Sequence, residues 1–167
     1  YLQFSRMPQS SENRISLAAI IQDLLDFIEP EMSAAGIQIS RDFVDDPLQM
    51  DGDRDQLRRA LLNIVRNAIE ALPNGGAVYV ESTLIGNEIQ LAISDTGAGI
   101  REDELEQVFE PFYTGKEMGT GLGLAMTKQI IEEHKGTIAC SPSLYSGAKF
   151  TLTFPRKQQS DGSEIEA

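Results

Sequence analysis

Early in the chain, apolar side chains recur at helical spacing: Leu17, Ile20, Ile21, Leu24, Leu25 and Ile28 share one face of an α-helix. Ser16 stands at its N-cap and Gly36 at its end. Pro30, which has no N–H to donate, is expected to kink or interrupt it. The period then shortens. Ile37, Ile39, Arg41 and Phe43 alternate with polar neighbours, as a strand does. Asp53 caps a second helix with Gln56 at the capping-box position, and its stripe is Leu57, Leu61, Ile64, Val65, Ala68 and Leu72. Pro73-Asn74-Gly75-Gly76 stops it.

Strand patterns follow over Ala77 to Leu84 and Glu88 to Ser94, joined through Gly86-Asn87 as a hairpin. A short acidic helix is predicted over about Glu102 to Phe109. A glycine-rich stretch, 115–123, leads into a third long helix ending near Lys135-Gly136, and the last strands are Thr137 to Ser141 and Lys149 to Phe154. Helices and strands mix without strict alternation, and hairpins join neighbours. This predicts an α/β (α+β) two-layer sandwich: a mixed, mostly antiparallel sheet of about five strands packed on three helices. The segment 1–14 carries Pro8 amid Ser, Gln and Asn and reads as the end of a preceding element plus a linker. The domain is expected over 15–157, and the polar, acidic 158–167 reads as a disordered tail.

Composition narrows the partners. In 167 residues, 14 Lys+Arg stand against 26 Asp+Glu, a formal charge of −12. That balance argues against nucleic acid and against direct contact with anionic membranes. One cysteine, Cys140, and one histidine, His134, give no disulfide framework and little for a zinc site. No apolar run approaches the ~18 residues that span a bilayer. The chain starts at Tyr1 without an initiator Met and reads as a cytoplasmic fragment of something longer.

Several clusters carry candidate chemistry. Asn63 and Asn67 lie four apart on the second helix and share a face at the edge of its apolar stripe. A carboxamide oxygen is a hard ligand suited to Mg²⁺, although an amide pair could also cap a neighbouring loop. Asp95-Thr96-Gly97-Ala98-Gly99 directly follows a strand, so the acid can accept from an exocyclic amine while the glycines admit a flat ring. A plain Asp-Gly turn is the alternative. Gly119-Thr120-Gly121-Leu122-Gly123-Leu124 opens a helix, where unobstructed N–H groups attract anions. Lys116 lies just upstream. Phe109-Glu110-Pro111-Phe112-Tyr113 would pin a loop at its root. Together they supply the parts of an ATP site: amides for Mg²⁺, an acid for adenine, N–H groups and a lysine for phosphates, and an anchored lid.

These residues resemble the catalytic, ATP-binding domain of bacterial sensor histidine kinases in the GHKL superfamily. Gln56 to Ala71 is similar to the N box, Asp95 to Ile100 to the G1 box, Val108 to Thr114 to the F box and Gly119 to Leu124 to the G2 box. The likeness runs from about residue 15 to 156, and the Asn67-Ala68-Ile69-Glu70-Ala71 ending resembles the nitrogen-regulation and oxygen-sensing subgroup. The resemblance implies that Asn67 ligates Mg²⁺, with Asn63 contacting metal or phosphate. It implies that Asp95 binds the adenine amino group, with Gly97, Gly99 and Ile100 shaping the pocket. Thr120, Gly121, Leu122 and Gly123 would serve the phosphates, Lys116 would reach them from a short lid over roughly Thr114 to Thr120, and Phe109 and Phe112 would anchor that lid. It further implies γ-phosphoryl transfer from Mg·ATP to a histidine on a separate dimerisation domain, then relay to an aspartate of a response-regulator receiver domain.

Two positions depart from the pattern. Glu70 stands where many relatives carry a base three residues after the metal-binding Asn, and Ala148 stands where many carry a Thr after the last-strand Gly. Hydrolytic members of the superfamily resemble each other in a Glu four residues before that Asn; here the position is Asn63, which cannot act as a general base. The rival readings are a true ATPase of the superfamily, a serine kinase resembling the anti-sigma factors, and a nucleotide-sensing module without chemistry. His134 is read as structural, a favourable charge at a helix C-terminus, so no phosphoacceptor histidine is expected in the chain.

Overall fold

The computed structural model describes residues 13–111, 113 and 123–157. In chain order the elements are β1 (Asn13–Ser16), α1 (Leu17–Ala34), β2 (Ile37–Phe43), β3 (Gln49–Gly52), α2 (Arg54–Glu70), β4 (Gly76–Ile85), β5 (Glu88–Asp95), α3 (Gly123–Glu133), β6 (Thr137–Pro142) and β7 (Ala148–Pro155). The main sheet has five strands in the order β2-β4-β5-β7-β6. Only β2–β4 is parallel; the other pairs are antiparallel. This is the expected mixed sheet on three helices.

The helices start where their caps dictate. Ser16 Oγ accepts from Ala19 N at 3.1 Å, and the next free donors of α1, Leu17 N and Ala18 N, give to Leu48 O and Pro47 O at 2.9 and 3.3 Å. Asp53 Oδ1 accepts from Asp55 N and Gln56 N at 3.0 and 3.1 Å at the start of α2. The predicted stripes are the buried ones. Leu17, Ile20, Ile21, Leu24, Leu25 and Ile28 of α1 meet Leu57, Leu61, Ile64 and Val65 of α2, all under 2 % exposed, over Val78, Val80, Ile89, Leu91, Phe150, Leu152 and Phe154 of the sheet. Each such side chain contributes about 1.5–3 kcal/mol on leaving water.

Two expectations are revised and one element was not foreseen. Pro30 does not interrupt α1, which continues to Ala34. Pro30 and Asp26, whose carbonyl loses the hydrogen bond, both lie on the exposed side, which is open to water. The acidic helix is instead two 3₁₀ turns, Glu102–Glu104 and Gln107–Phe109. β1 and β3 form a two-stranded antiparallel ribbon, Asn13 opposite Gly52 through Ser16 opposite Gln49, which the hydrophobic pattern did not announce. Arg41, the one charged residue at an alternate position of β2, is half-buried and pairs with Asp26 of α1 at 2.9 Å.

Candidate nucleotide-binding site

β5 ends at Asp95, which is 2 % exposed. A carboxylate this buried needs hydrogen-bond partners. Its Oδ1 accepts from Gly97 N at 2.8 Å, an Asx turn within the loop, and from Ala148 N at 3.3 Å at the start of β7. The backbone packs so closely that side chains have no room. A Cβ on Gly147 would collide with Asp95 Oδ1 and the Asp95 carbonyl. A Cβ on Gly97 would lie 2.5 Å from Ala71 O and 3.0 Å from Asp95 Oδ1. Gly99 has φ +81°, the left-handed region open to glycine, and faces Ser146 O. Thr96 closes the loop onto β4: its N donates to Ala77 O at 3.2 Å and its Oγ1 accepts from Ala77 N at 3.1 Å.

The contact of Gly97 with Ala71 O brings the C-terminal end of α2 against the acid's loop. Asn67 lies one turn before that end and Asn63 two turns before it, both half-buried beside the fully buried Ile64 and Val65. Asn63 Nδ2 donates to Thr127 Oγ1 at 3.4 Å, and Thr127 Oγ1 donates to Gly123 O at 2.8 Å. The amide face of α2 is therefore tied to the first turn of α3, immediately after the glycine run. Arg59 Nη2 reaches Met126 Sδ at 3.6 Å along the same seam.

Phe109 is buried and meets Phe150 edge-on at 6.0 Å, with Lys128 Nζ 5.6 Å above its ring. Tyr113 OH donates to Glu104 Oε2 at 3.0 Å; burial first, then this contact with an acid, holds the phenol above its usual range. Ile100 is half-buried against the core. Gly123 opens α3, and among the described residues nothing lies within 4 Å of where its Cβ would stand. Phe112, Lys116, Thr120, Gly121 and Leu122 lie outside the described residues. The structure thus brings Asn63, Asn67, Asp95, Gly97, Gly99, Ile100 and Gly123 onto the same pair of helices and the loop beside them.

Sequence reasoning missed Thr127, Ala71 O and the Ala148 N–H. A threonine at a buried position of α3 was a usable signal for the first; the other two are backbone groups with no residue-type signature. Cys140 was likewise unassigned. Its thiol is pushed up to about 12, first by burial and then by the negative charge of Asp95. The structural reading of His134 stands, but its expected charge is revised. Its Nδ1 bonds Ile130 O at 2.7 Å and its Nε2 lies 2.9 Å from Asp53 N. A carbonyl only accepts and an amide N–H only donates, so the ring is the neutral Nδ1–H tautomer. It is a polar staple between the end of α3 and the N-cap of α2, not a positive charge on a helix end. A cleft of about 80 Å³ beside it, lined by Asp51, Gly52, Glu133, His134, Lys135, Pro155 and Lys157, lies at the C-terminal end of α3, away from Gly123.

Residues 52–158 match the family described as Histidine kinase-, DNA gyrase B-, and HSP90-like ATPase. The chain is 36% identical over 143 residues to Sporulation kinase E of Bacillus subtilis (strain 168), covering 85% of this chain and 19% of that protein. It is 35% identical over 141 residues to Sensor histidine kinase ZraS of Escherichia coli O157:H7, covering 84% of this chain and 31% of that one. Among solved structures, the catalytic domain of histidine kinase ThkA superposes with a TM-score of 0.81 at 28% identity, over 89% of this chain and 99% of that one. The mycobacterial sensor histidine kinase MprB gives 0.80 at 28% identity, over 89% and 100%. The chain belongs to the histidine kinase-, DNA gyrase B- and HSP90-like ATPase family, and its fold is that of the histidine kinase catalytic domains. It spans about a fifth to a third of the length of these curated relatives.

Proposed function

We propose that the chain is the ATP-binding catalytic domain of a sensor histidine kinase and holds Mg·ATP for γ-phosphoryl transfer to a histidine on a separate dimerisation domain. The phosphoryl group then passes to an aspartate of a response-regulator receiver domain. The observation that carries the reading is the closed corner in which Asp95, held by two backbone N–H groups, meets the end of the helix bearing Asn63 and Asn67. In this reading the Asp95 carboxylate accepts from the adenine amino group. Gly97, Gly99 and Ile100 shape the base pocket. Gly123, with Thr120, Gly121, Leu122 and Lys116, serves the phosphates.

The donor set fits magnesium delivered with the nucleotide. The carboxamides of Asn67 and Asn63 are hard oxygen donors, and the nucleotide's phosphates and water would complete the shell. Asn67, with Asn63 beside it, would hold Mg²⁺, which when bound neutralises charge on the transferring phosphoryl group. The chain's own part is to orient the nucleotide and keep it dry. Asn63 is tied to Thr127 and cannot take a proton from water, which favours transfer to another nucleophile over hydrolysis.

Calorimetric titration with ATP, with and without Mg²⁺, is the first test, followed by labelled-phosphate transfer to an added dimerisation domain of a relative. Magnesium-dependent binding, transfer to that domain and no stable label on the chain itself are expected. Absence of nucleotide binding overturns the reading. Steady ATP turnover near 1 s⁻¹, an ordinary enzyme rate, would make it an ATPase; label on a partner's serine would make it an anti-sigma-factor-like kinase; and binding with no transfer would make it a sensing module.

A further inference from the structure

Tyr79 lies between Val78 and Val80 on β4, both fully buried under the helices, so its ring stands on the opposite face of the sheet. Directly across from it on β5 is Ser94, the residue before Asp95, and across from Ser94 is Lys149 on β7. Tyr145, in the loop between β6 and β7, stacks on Tyr79 with ring centroids 3.9 Å apart and planes 15° from parallel. Ser94, on the helix-free face, is only 4 % exposed.

The loop has little else of an apolar kind to hold it. Leu144 is 92 % exposed. Ser146 takes φ +79°, which costs a non-glycine residue about 1 kcal/mol or more. Its internal bonds are Ser143 N to Gly147 O at 2.7 Å, Ser146 N to Ser143 O at 3.3 Å and Tyr145 N to Ser143 Oγ at 2.9 Å. Yet this loop presents Ser146 O to Gly99, seats Gly147 on Asp95 and delivers the Ala148 N–H to Asp95 Oδ1. The aromatic pair fixes one end of a segment whose other end sets the carboxylate.

We propose that Tyr79 and Tyr145 are positioning residues for the nucleobase carboxylate, and that their stack sets the preference for adenine. The inference rests on the reading above that Asp95 receives the adenine amino group. Without the stack, Gly147 and Ala148 move more freely, Asp95 loses a fixed orientation and the base is read less well, while the amide and glycine elements that serve the metal and phosphates keep their geometry.

The test is calorimetric titration of the whole chain with Mg·ATP and Mg·GTP. Tyr145→Ala and Tyr79→Ala are each expected to weaken ATP binding roughly 3- to 10-fold, the scale of one aromatic pair. GTP binding should change little, so the preference for ATP narrows. The double variant should lose no more than either single one, because the two rings form one contact. Tyr145→Phe keeps the ring and should keep the preference. An equal loss for both nucleotides would mark a merely structural contact and overturn the proposal, as would unchanged preference in both alanine variants. Asp95→Asn separates the layers: if it abolishes ATP binding while Tyr145→Ala leaves the preference intact, only the role of the stack falls. If Asp95→Asn binds ATP normally, the base-recognition reading falls and this inference with it.

Discussion

The acid corner and the amide face are built to different tolerances. Asp95 is buried at a strand end, held by the Gly97 and Ala148 N–H groups at 2.8 and 3.3 Å, and walled by glycines with no space for a Cβ. Asn63 is half-buried and its contact with Thr127 Oγ1 is a long 3.4 Å. The corner is fixed by main chain at the end of a sheet; the amide face is a side-chain contact between two helices. A flat base of constant shape gains from a rigid pocket. In the proposed reading the metal–triphosphate group meets the other kind of surface, side-chain amides such as Asn63 with its long contact.

The largest effect expected from breaking this contrast is at the rigid side. Gly147→Ala drives a methyl into Asp95 and should cost about 1–3 kcal/mol of stability and remove detectable ATP binding, read by thermal melting and calorimetry. Next is the far end of the helix pair. His134→Ala removes the partner of the Asp53 N–H at the start of α2 and should lower stability by about 1–2 kcal/mol, with nucleotide affinity nearly unchanged. A large affinity loss there would show that the helix pair is as rigidly coupled as the corner.

Thr127→Val keeps the shape but deletes the bonds to Asn63 and Gly123 O. It should weaken Mg²⁺-dependent binding by roughly 3- to 10-fold, the scale of one hydrogen bond, and leave metal-free binding alone. Equal loss with and without Mg²⁺ would contradict the assignment of the amides to the metal side. The smallest effect concerns Cys140. With its thiol raised from 9.0 to about 12, the folded chain should resist alkylation at pH 8–9 while the urea-unfolded chain reacts readily. The raised value contributes stability that is complete below the unfolded pKa and fades as pH climbs from about 9 toward 12. Asp95→Asn removes the second cause and should speed the folded-state reaction, a direct readout of the corner's charge.

The helix stripes and the hairpin through Gly86-Asn87 were legible because each is local: period, cap and turn residues sit within a few positions of one another. Asp95 and Gly97 belong to the same turn and could be read together. What the chain did not announce is non-local. The β1–β3 ribbon joins four-residue segments, one containing Asp51 and Gly52, that have little strand preference alone and exist because they pair with each other.

The second donor to Asp95 comes from a residue 53 positions away, and it is a backbone N–H that any residue but proline would carry, so no side-chain type marks it. His134 shows the same limit. Its place near the end of α3 was fixed by sequence, but its tautomer was decided by an amide 81 positions distant. Periodicity and caps are properties of neighbours and so belong to the sequence. Closeness between main-chain groups of separate elements, which sets the buried carboxylate and the neutral imidazole, arises only once the sheet and helices have packed.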